Sequence, residues 1–139
     1  MKILKFALLL CIGGGVYVTL ELLYRGYSHG SMFLAGGVCF LLIGGLRDLP
    51  LIPAVLLGTA SVTAVELLTG LVVNRNYSVW DYRDQPGNFL GQICPRFVLI
   101  WIPLTLAALY LYRWADKLLD RVLRWASCRR PGEMPGKPH

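Results

Sequence analysis

The sequence is poor in charged residues. Only 16% of its 139 residues are Asp, Glu, Lys or Arg, whereas 55% are apolar, and the mean hydropathy is +0.54. Charged residues make up about a quarter of an ordinary soluble domain. This shortage favours a membrane protein. Although the net charge is +6, no basic stripe with interleaved aromatic side chains is present, so we expect no nucleic-acid partner.

Motifs of soluble enzymes are also missing. The sequence contains no Walker A motif, no HExxH and no GxSxG. Its four cysteines lie far apart and include no CxxC pair, which argues against a zinc site and a disulfide framework. We therefore expect no metal and no other cofactor. No catalytic residue can be assigned from the sequence, and whether the protein is an enzyme stays open.

Four apolar segments are candidates to cross a bilayer, which takes about 20 residues each. The apolar run at the N-terminus continues to Leu23 without a clear cleavage signal, which favours a retained first helix over a cleaved signal peptide. The second segment is short, but a short segment can span where the bilayer thins. The prediction is an all-α integral membrane bundle over residues 1–113, with helices at about 3–24, 31–46, 51–73 and from Asn88 or Pro95 to Tyr112.

A basic amphipathic helix is predicted after the fourth segment, over residues 114–130. Apolar residues such as Leu118, Val122 and Trp125 recur there at helical spacing, with Lys and Arg on the other side. Such a helix is expected to lie on an anionic membrane surface. Residues 131–139 have no core-forming content, so we predict a disordered tail.

The basic residues predict an orientation in the membrane. If both termini are inside, ten Lys and Arg residues are cytoplasmic and four are not. Cytoplasmic loops carry the excess of Lys and Arg. We therefore expect a multi-pass protein of the cell membrane with both termini cytoplasmic. The polar loop 74–87 then lies at the outer face, and the lipid bilayer is the first partner.

Two stretches of the sequence resemble each other. "ELLYRGYSHGSM" and "ELLTGLVVNRNYSVW" share ELL followed by R-x-Y-S, so that Glu21 matches Glu66 and Arg25 matches Arg75. Two helical hairpins related by an axis along the membrane normal would produce this pattern. Chance similarity between two apolar segments would also produce it, and the sequence does not decide between them.

Glu66 is the most informative polar residue. It lies in the third segment, roughly 10 Å below the outer boundary at 1.5 Å per residue, so it must be protonated, paired or in contact with water. Thr59 and Gly70 share its helix face. Three interpretations compete: an ion pair with Arg96 or Arg25, which we favour, a proton- or cation-coupled transport carboxylate, and a general acid or base.

Other polar residues surround this position. Glu21 and Arg25 are spaced for an intrahelical ion pair. His29 could titrate, bind a metal or cap the second helix, and capping is favoured because Ser28 and Ser31 beside it are also good capping residues.

The loop and the start of the fourth segment add further candidates. Asn88, Gln92 and Arg96 are spaced four residues apart, so they would share one face of a helix. They could form a polar lining or anchor the loop by hydrogen bonds. Trp80 fits an outer aromatic belt, and Asp81 could simply be solvated. We expect the main polar groups to converge on one outward-facing cavity. The candidate substrate- or ion-binding residues are Glu21, Arg25, His29, Glu66, Asn74, Trp80, Asp81, Asn88, Gln92 and Arg96.

Several motifs occur together in this order: "GYSHGSM" (26–32), "VTAVELLTG" (62–70), "VWDY" (79–82) and "NFLGQICPRFVLIW" (88–101). Together they resemble a family of small bacterial membrane proteins described as "Putative ABC-transporter type IV", CmpB-like. The resemblance covers roughly residues 13 to 105, but Arg83 stands where members often carry Ser. The positions that match the family pattern are Glu21, Arg25, Gly26, Ser28, His29, Ser31, Met32, Glu66, Gly70, Asn74, Trp80, Asp81, Tyr82, Asn88, Gly91, Gln92 and Cys94.

The resemblance implies a transport role without naming a substrate or a catalytic residue. Our leading hypothesis is a permease or channel-like subunit that forms a homo-oligomer, with a dimer favoured, since four helices rarely enclose a transport path. ATP-driven transport would need a separate partner subunit. The alternatives are a membrane-embedded enzyme acting on a lipid-linked substrate and a structural or accessory membrane subunit.

Overall fold

The structure is a computed structural model that describes residues 1–128. These residues form four α-helices and no β-strand: α1 Lys2–Arg25, α2 Gly30–Gly45, α3 Leu51–Val73 and α4 Pro95–Cys128. The predicted all-α bundle is confirmed. The predicted tail at 131–139 and the last two residues of the predicted surface helix lie outside the described residues.

The helices have the lengths and composition of a membrane protein with several spans. Three of them, α1, α3 and α4, are long and apolar enough to cross a bilayer. The remaining helix, α2, has 16 residues. Its length is therefore about 24 Å, which is less than the thickness of about 30 Å of the hydrocarbon core of a bilayer. The predicted second span is therefore present as a helix, but it is a short one.

The bounds of α1, α2 and α3 agree with the predicted segments to within a residue or two, whereas α4 differs. Its start is Pro95, the later of the two predicted starts, because a residue without a backbone N–H suits the first turn of a helix. It also continues past Tyr112 to Cys128 without a break. Since no Gly or Pro interrupts residues 113–128, the predicted surface helix is the C-terminal part of α4 and not a separate element.

Glycines let α1 and α2 pack with their backbones close together. A Cβ atom on Gly14 would collide with the backbone carbonyl and ring of Phe33, and one on Gly37 would collide with the carbonyl of Leu10. Small residues at such positions permit close helix contact in membranes. The two helices are joined by a short turn that starts at Gly26, whose φ of +76° glycine adopts without strain.

The bundle has two different ends. We call the end that carries the α3–α4 connection, residues 74–94, the loop end, and the opposite end, with Met1 and the α2–α3 turn, the termini end. A cluster of Leu9, Phe40, Tyr112 and Ala115 fills the termini end. Beside it, Lys5 forms ion pairs with two aspartates of α4 at 2.8 and 2.7 Å.

Helices α2 and α4 hold the bundle together. Among the described residues, α2 and α4 each pack against all three other helices, whereas α1 and α3 do not pack against each other. At the loop end this arrangement leaves space between the helices. The candidate site lies in that space.

The glycine contacts predict opposite effects for two neighbouring substitutions. Gly14→Ala should lower the free energy of unfolding by about 1–3 kcal/mol, because the added methyl group meets the backbone of Phe33. Gly15→Ala is the matched control, since a Cβ there meets nothing within 4 Å, and it should be neutral or stabilising by up to about 1 kcal/mol. Thermal unfolding of both variants in one detergent measures this difference, and equal midpoints would contradict the close packing of α1 on α2.

Candidate functional site

A cavity of about 300 Å³ lies at the loop end, between all four helices and beneath the loop. Its walls are mainly apolar, in contrast to the polar cavity predicted from the sequence. The charged side chains that line it are Glu21, Arg25 and Glu66. Six aromatic side chains line it as well: Tyr17, Tyr24, Trp80, Tyr82, Phe97 and Trp101.

The Glu66 carboxylate is held by neutral hydrogen-bond donors. The indole Nε1 of Trp101 donates to Oε2 at 3.0 Å, and the hydroxyl of Tyr82 lies 3.4 Å from Oε1 in a longer hydrogen bond. Within the described part of the chain, no basic side chain forms an ion pair with Glu66. The predicted ion pair with Arg25 or Arg96 is therefore wrong.

The two donors to Glu66 belong to stacked aromatic pairs. Tyr82 stacks on Phe97 with ring centroids 4.6 Å apart, and Trp101 stacks on Tyr17 at 6.1 Å. Burial raises the pKa of Tyr82, so that its hydroxyl keeps its proton and can donate. The carboxylate of α3 thus sits between two aromatic pairs that come from α1, α4 and the loop.

The other carboxylate in the cavity, Glu21, has a basic partner as well as a hydroxyl donor. Arg25 forms the predicted i,i+4 ion pair with its Oε1, and the Ser28 hydroxyl donates to Oε2 at 2.6 Å. Arg25 also donates to the backbone oxygen of Val79 at 2.9 Å. The ion pair therefore joins α1 to the loop, and it leaves no charge on Glu21 that needs a further counter-ion.

These pairings leave one negative charge in the cavity wall. Two carboxylates and one guanidinium line the cavity, and the guanidinium is engaged by Glu21. When Glu66 is ionised, its charge is balanced by hydrogen bonds alone. A carboxylate in apolar surroundings without a cation is costly.

Buried amides anchor the loop above the cavity. Asn74 is fully buried; its Nδ2 donates to Gln92 Oε1 at 3.0 Å, and its Oδ1 accepts from the backbone N–H of Val79 at 2.8 Å. Gln92 Nε2 returns a bond to the Asn74 carbonyl at 3.1 Å, and Trp80 Nε1 donates to the Gln92 carbonyl at 2.9 Å. Asn74 and Gln92 hold the loop and do not line the cavity, whereas Trp80 does both.

Two predicted site residues lie away from the cavity on helix ends. His29 is the N-cap of α2, where its Nδ1 accepts from the backbone N–H of Ser31 at 3.2 Å. Of the three interpretations of His29, capping of α2 is the one that agrees with its contacts. Arg96 is exposed on the first turn of α4, and it does not line the cavity.

Two more predicted site residues stay within the loop itself. Asn88 bonds the loop backbone, donating to the carbonyl of Gln85 at 2.9 Å and accepting from Gly91 N–H at 3.0 Å. Asp81 is exposed and pairs with Arg83 at 2.6 Å, which holds the pKa of Asp81 below its usual value. The predicted convergence on one cavity thus fails for these side chains, because the loop folds against itself.

The sequence did reveal part of the site, but it missed the aromatic residues. Of the predicted residues, Glu21, Arg25, Glu66 and Trp80 line the cavity. Trp101 was overlooked because it lies inside an apolar run. Its indole N–H was the available signal, because a buried tryptophan N–H usually finds an acceptor, and few acceptors are available inside a membrane span.

A second cavity of about 260 Å³ adjoins the first toward the termini end. The two share Tyr17, Cys39 and Trp101 among their walls, but no charged side chain lines the second one. The cluster of Leu9, Phe40, Tyr112 and Ala115 lies beyond it. The described residues therefore provide no polar path from the site to the termini end.

Comparison with known proteins identifies one family. The family model described as "Putative ABC-transporter type IV" matches residues 11–128, which include α1 from residue 11 onward, the other three helices and the whole site. No curated protein and no solved structure gives a significant match.

The buried anchor of the loop predicts a position-specific loss of stability. Asn74→Ala should destabilise the loop end by roughly 1–3 kcal/mol for each buried partner left unsatisfied, and it should speed tryptic cleavage after Arg75 and Arg83. Asn76→Ala is the control, because Asn76 is exposed and receives a hydrogen bond only from Ser78 among the bonds seen in residues 1–128. Equal cleavage rates and melting temperatures for the two variants would show that the amide network does not hold the loop.

Proposed function

Because the chain belongs to the family described as "Putative ABC-transporter type IV", we propose that it is a small permease or channel-like subunit of a membrane transport system. The cavity at the loop end is its substrate- or ion-binding site. With both termini in the cytoplasm of the cell, as the distribution of basic residues favours, this cavity lies on the outer side of the cell membrane, beneath the loop.

The Glu66 carboxylate carries this proposal. It is half-buried within a span, it faces a cavity, and it has hydrogen-bond donors but no basic partner among the described side chains. Ionisable side chains inside membrane spans are rare, and they mark proton relays and ion pathways. Glu21 shows the paired alternative in the same cavity wall.

One copy of the chain does not supply a complete route. The second cavity is apolar and ends at the packed cluster of the termini end, so a solute bound near Glu66 has no polar exit on that side. We therefore propose that the working unit is a homo-oligomer, most simply a dimer, or that it includes a separate partner subunit. ATP-driven transport would require the second arrangement, since the sequence contains no Walker A motif.

The closed termini end also favours a second candidate function, a structural or accessory membrane subunit. In that case the cavity would hold a lipid or stabilise a partner without moving a solute. Flux separates the accessory function from transport by the homo-oligomer, because an accessory subunit alone produces none.

Transport should depend on Glu66. In liposomes under an imposed membrane potential, the wild-type protein should conduct protons or cations, and Glu66→Gln should lower this flux by about tenfold or more, since the amide cannot carry the charge. The measurement is the fluorescence of a pH or cation indicator enclosed in the vesicles.

The control for this assay is Asp84→Asn, which removes one exposed carboxylate from the loop outside the cavity. It should leave the flux unchanged. Background flux in the wild type and in both variants would remove transport by this chain alone or as a homo-oligomer, and it would leave transport with a separate partner subunit and the accessory function.

The homo-oligomer has its own test. Light scattering or native mass spectrometry of the detergent-solubilised protein should give the mass of a dimer, twice the 15.5 kDa of one chain. The dimer should persist on dilution if the second copy completes the path. A single-chain mass at every concentration would contradict it.

A further inference from the structure

We propose that the cavity binds an organic monocation with an apolar body, such as an alkylated or aromatic quaternary ammonium ion, and that Glu66 is its counter-ion. The inference rests on the proposed function in one respect, since this ligand would be the transported substrate. The binding itself stands on the charge and shape of the cavity alone.

When Glu66 is ionised, the charge balance of the cavity calls for one positive charge. Arg25 is committed to Glu21 and to the backbone of Val79, so it is not available to Glu66. The Glu66 oxygens accept one hydrogen bond each, whereas a carboxylate offers about four acceptor sites. A monovalent cation in the cavity would therefore meet an acceptor with capacity left, and it would bring the charge of the lining residues to zero.

The walls favour an organic cation over a metal ion. Ca²⁺ and Mg²⁺ bind six or more oxygen ligands, and the described residues contain no group of three His, Cys, Asp or Glu side chains that could hold a metal. Aromatic rings, in contrast, attract cations that have lost their water, and cages of such rings bind quaternary ammonium groups. Two stacked pairs, Tyr82–Phe97 and Tyr17–Trp101, flank the carboxylate.

Size and access agree with this ligand. The cavity volume of about 300 Å³ is at the lower limit of small-molecule pockets. The most exposed of its lining residues are Leu20 and Tyr24 on α1 and Ile100 on α4, at 42, 72 and 41%. If the cavity opens where its lining is most exposed, the opening lies between α1 and α4, on faces suited to lipid. A cation with an apolar body can reach it from the bilayer, where a hydrated inorganic ion is excluded.

Equilibrium dialysis in a neutral detergent tests the proposal with two probes of one shape. Benzyltrimethylammonium carries the charge, and neopentylbenzene is its uncharged carbon analogue. The wild-type protein should bind the cation at least about tenfold more tightly than the neutral probe, and Glu66→Gln should weaken cation binding about tenfold or more while leaving the neutral probe unaffected. Asp84→Asn, the loop control, should bind both probes like the wild type.

The variants must first be shown to fold, by unchanged helical circular dichroism and size-exclusion profile. If Glu66→Gln fails this check, Glu66→Asp keeps the charge and should retain cation selectivity. Equal binding of the two probes, no binding of the cation, or unchanged cation affinity in Glu66→Gln would each overturn the inference. Selective binding without flux in liposomes would leave this inference standing and remove the proposed transport by this chain as a homo-oligomer.

Discussion

The interaction that organises this protein is the hydrogen bonding of one carboxylate inside an apolar bundle. Glu66 lies in the third helix, and its oxygens accept from Trp101 on the fourth helix and Tyr82 in the loop. These donors lie far apart in the sequence, so the bonds require α3, α4 and the loop to come together at the loop end. The cavity exists because α1 and α3 do not pack against each other there.

Neutral donors and a charged partner have different consequences for such a carboxylate. An ion pair, as between Glu21 and Arg25, neutralises the charge and fixes both side chains. Hydrogen bonds from an indole and a phenol hold the oxygens in place without cancelling the charge. Glu21 therefore serves to join α1 to the loop, and Glu66 retains the capacity to interact with a cation, which is the basis of both functional proposals.

The helices were predictable because each depends on local properties of the sequence. Apolar runs bounded by Gly26, by Pro50 or by a polar loop predicted α1, α2 and α3 closely, since the bilayer requires long apolar helices. The Glu21–Arg25 pair and the His29 cap were predictable for the same reason, because each joins residues that are at most four positions apart. The predicted fourth segment ended at Tyr112, but α4 continues to Cys128, because a change from apolar to amphipathic composition does not by itself end a helix.

The sequence by itself determined that this is an all-α membrane protein, where three of its helices begin and end, and that Glu66 is its most unusual residue. The tertiary structure alone decided what Glu66 contacts. Asn74 and Gln92 form hydrogen bonds with each other, and the Arg96 side chain is exposed on the surface of the bundle. Trp101 donates the hydrogen bond to Glu66 that an arginine was expected to donate. The physical reason is that partners from different helices depend on how those helices rotate and cross, and apolar packing sets that geometry through contacts the linear sequence does not specify.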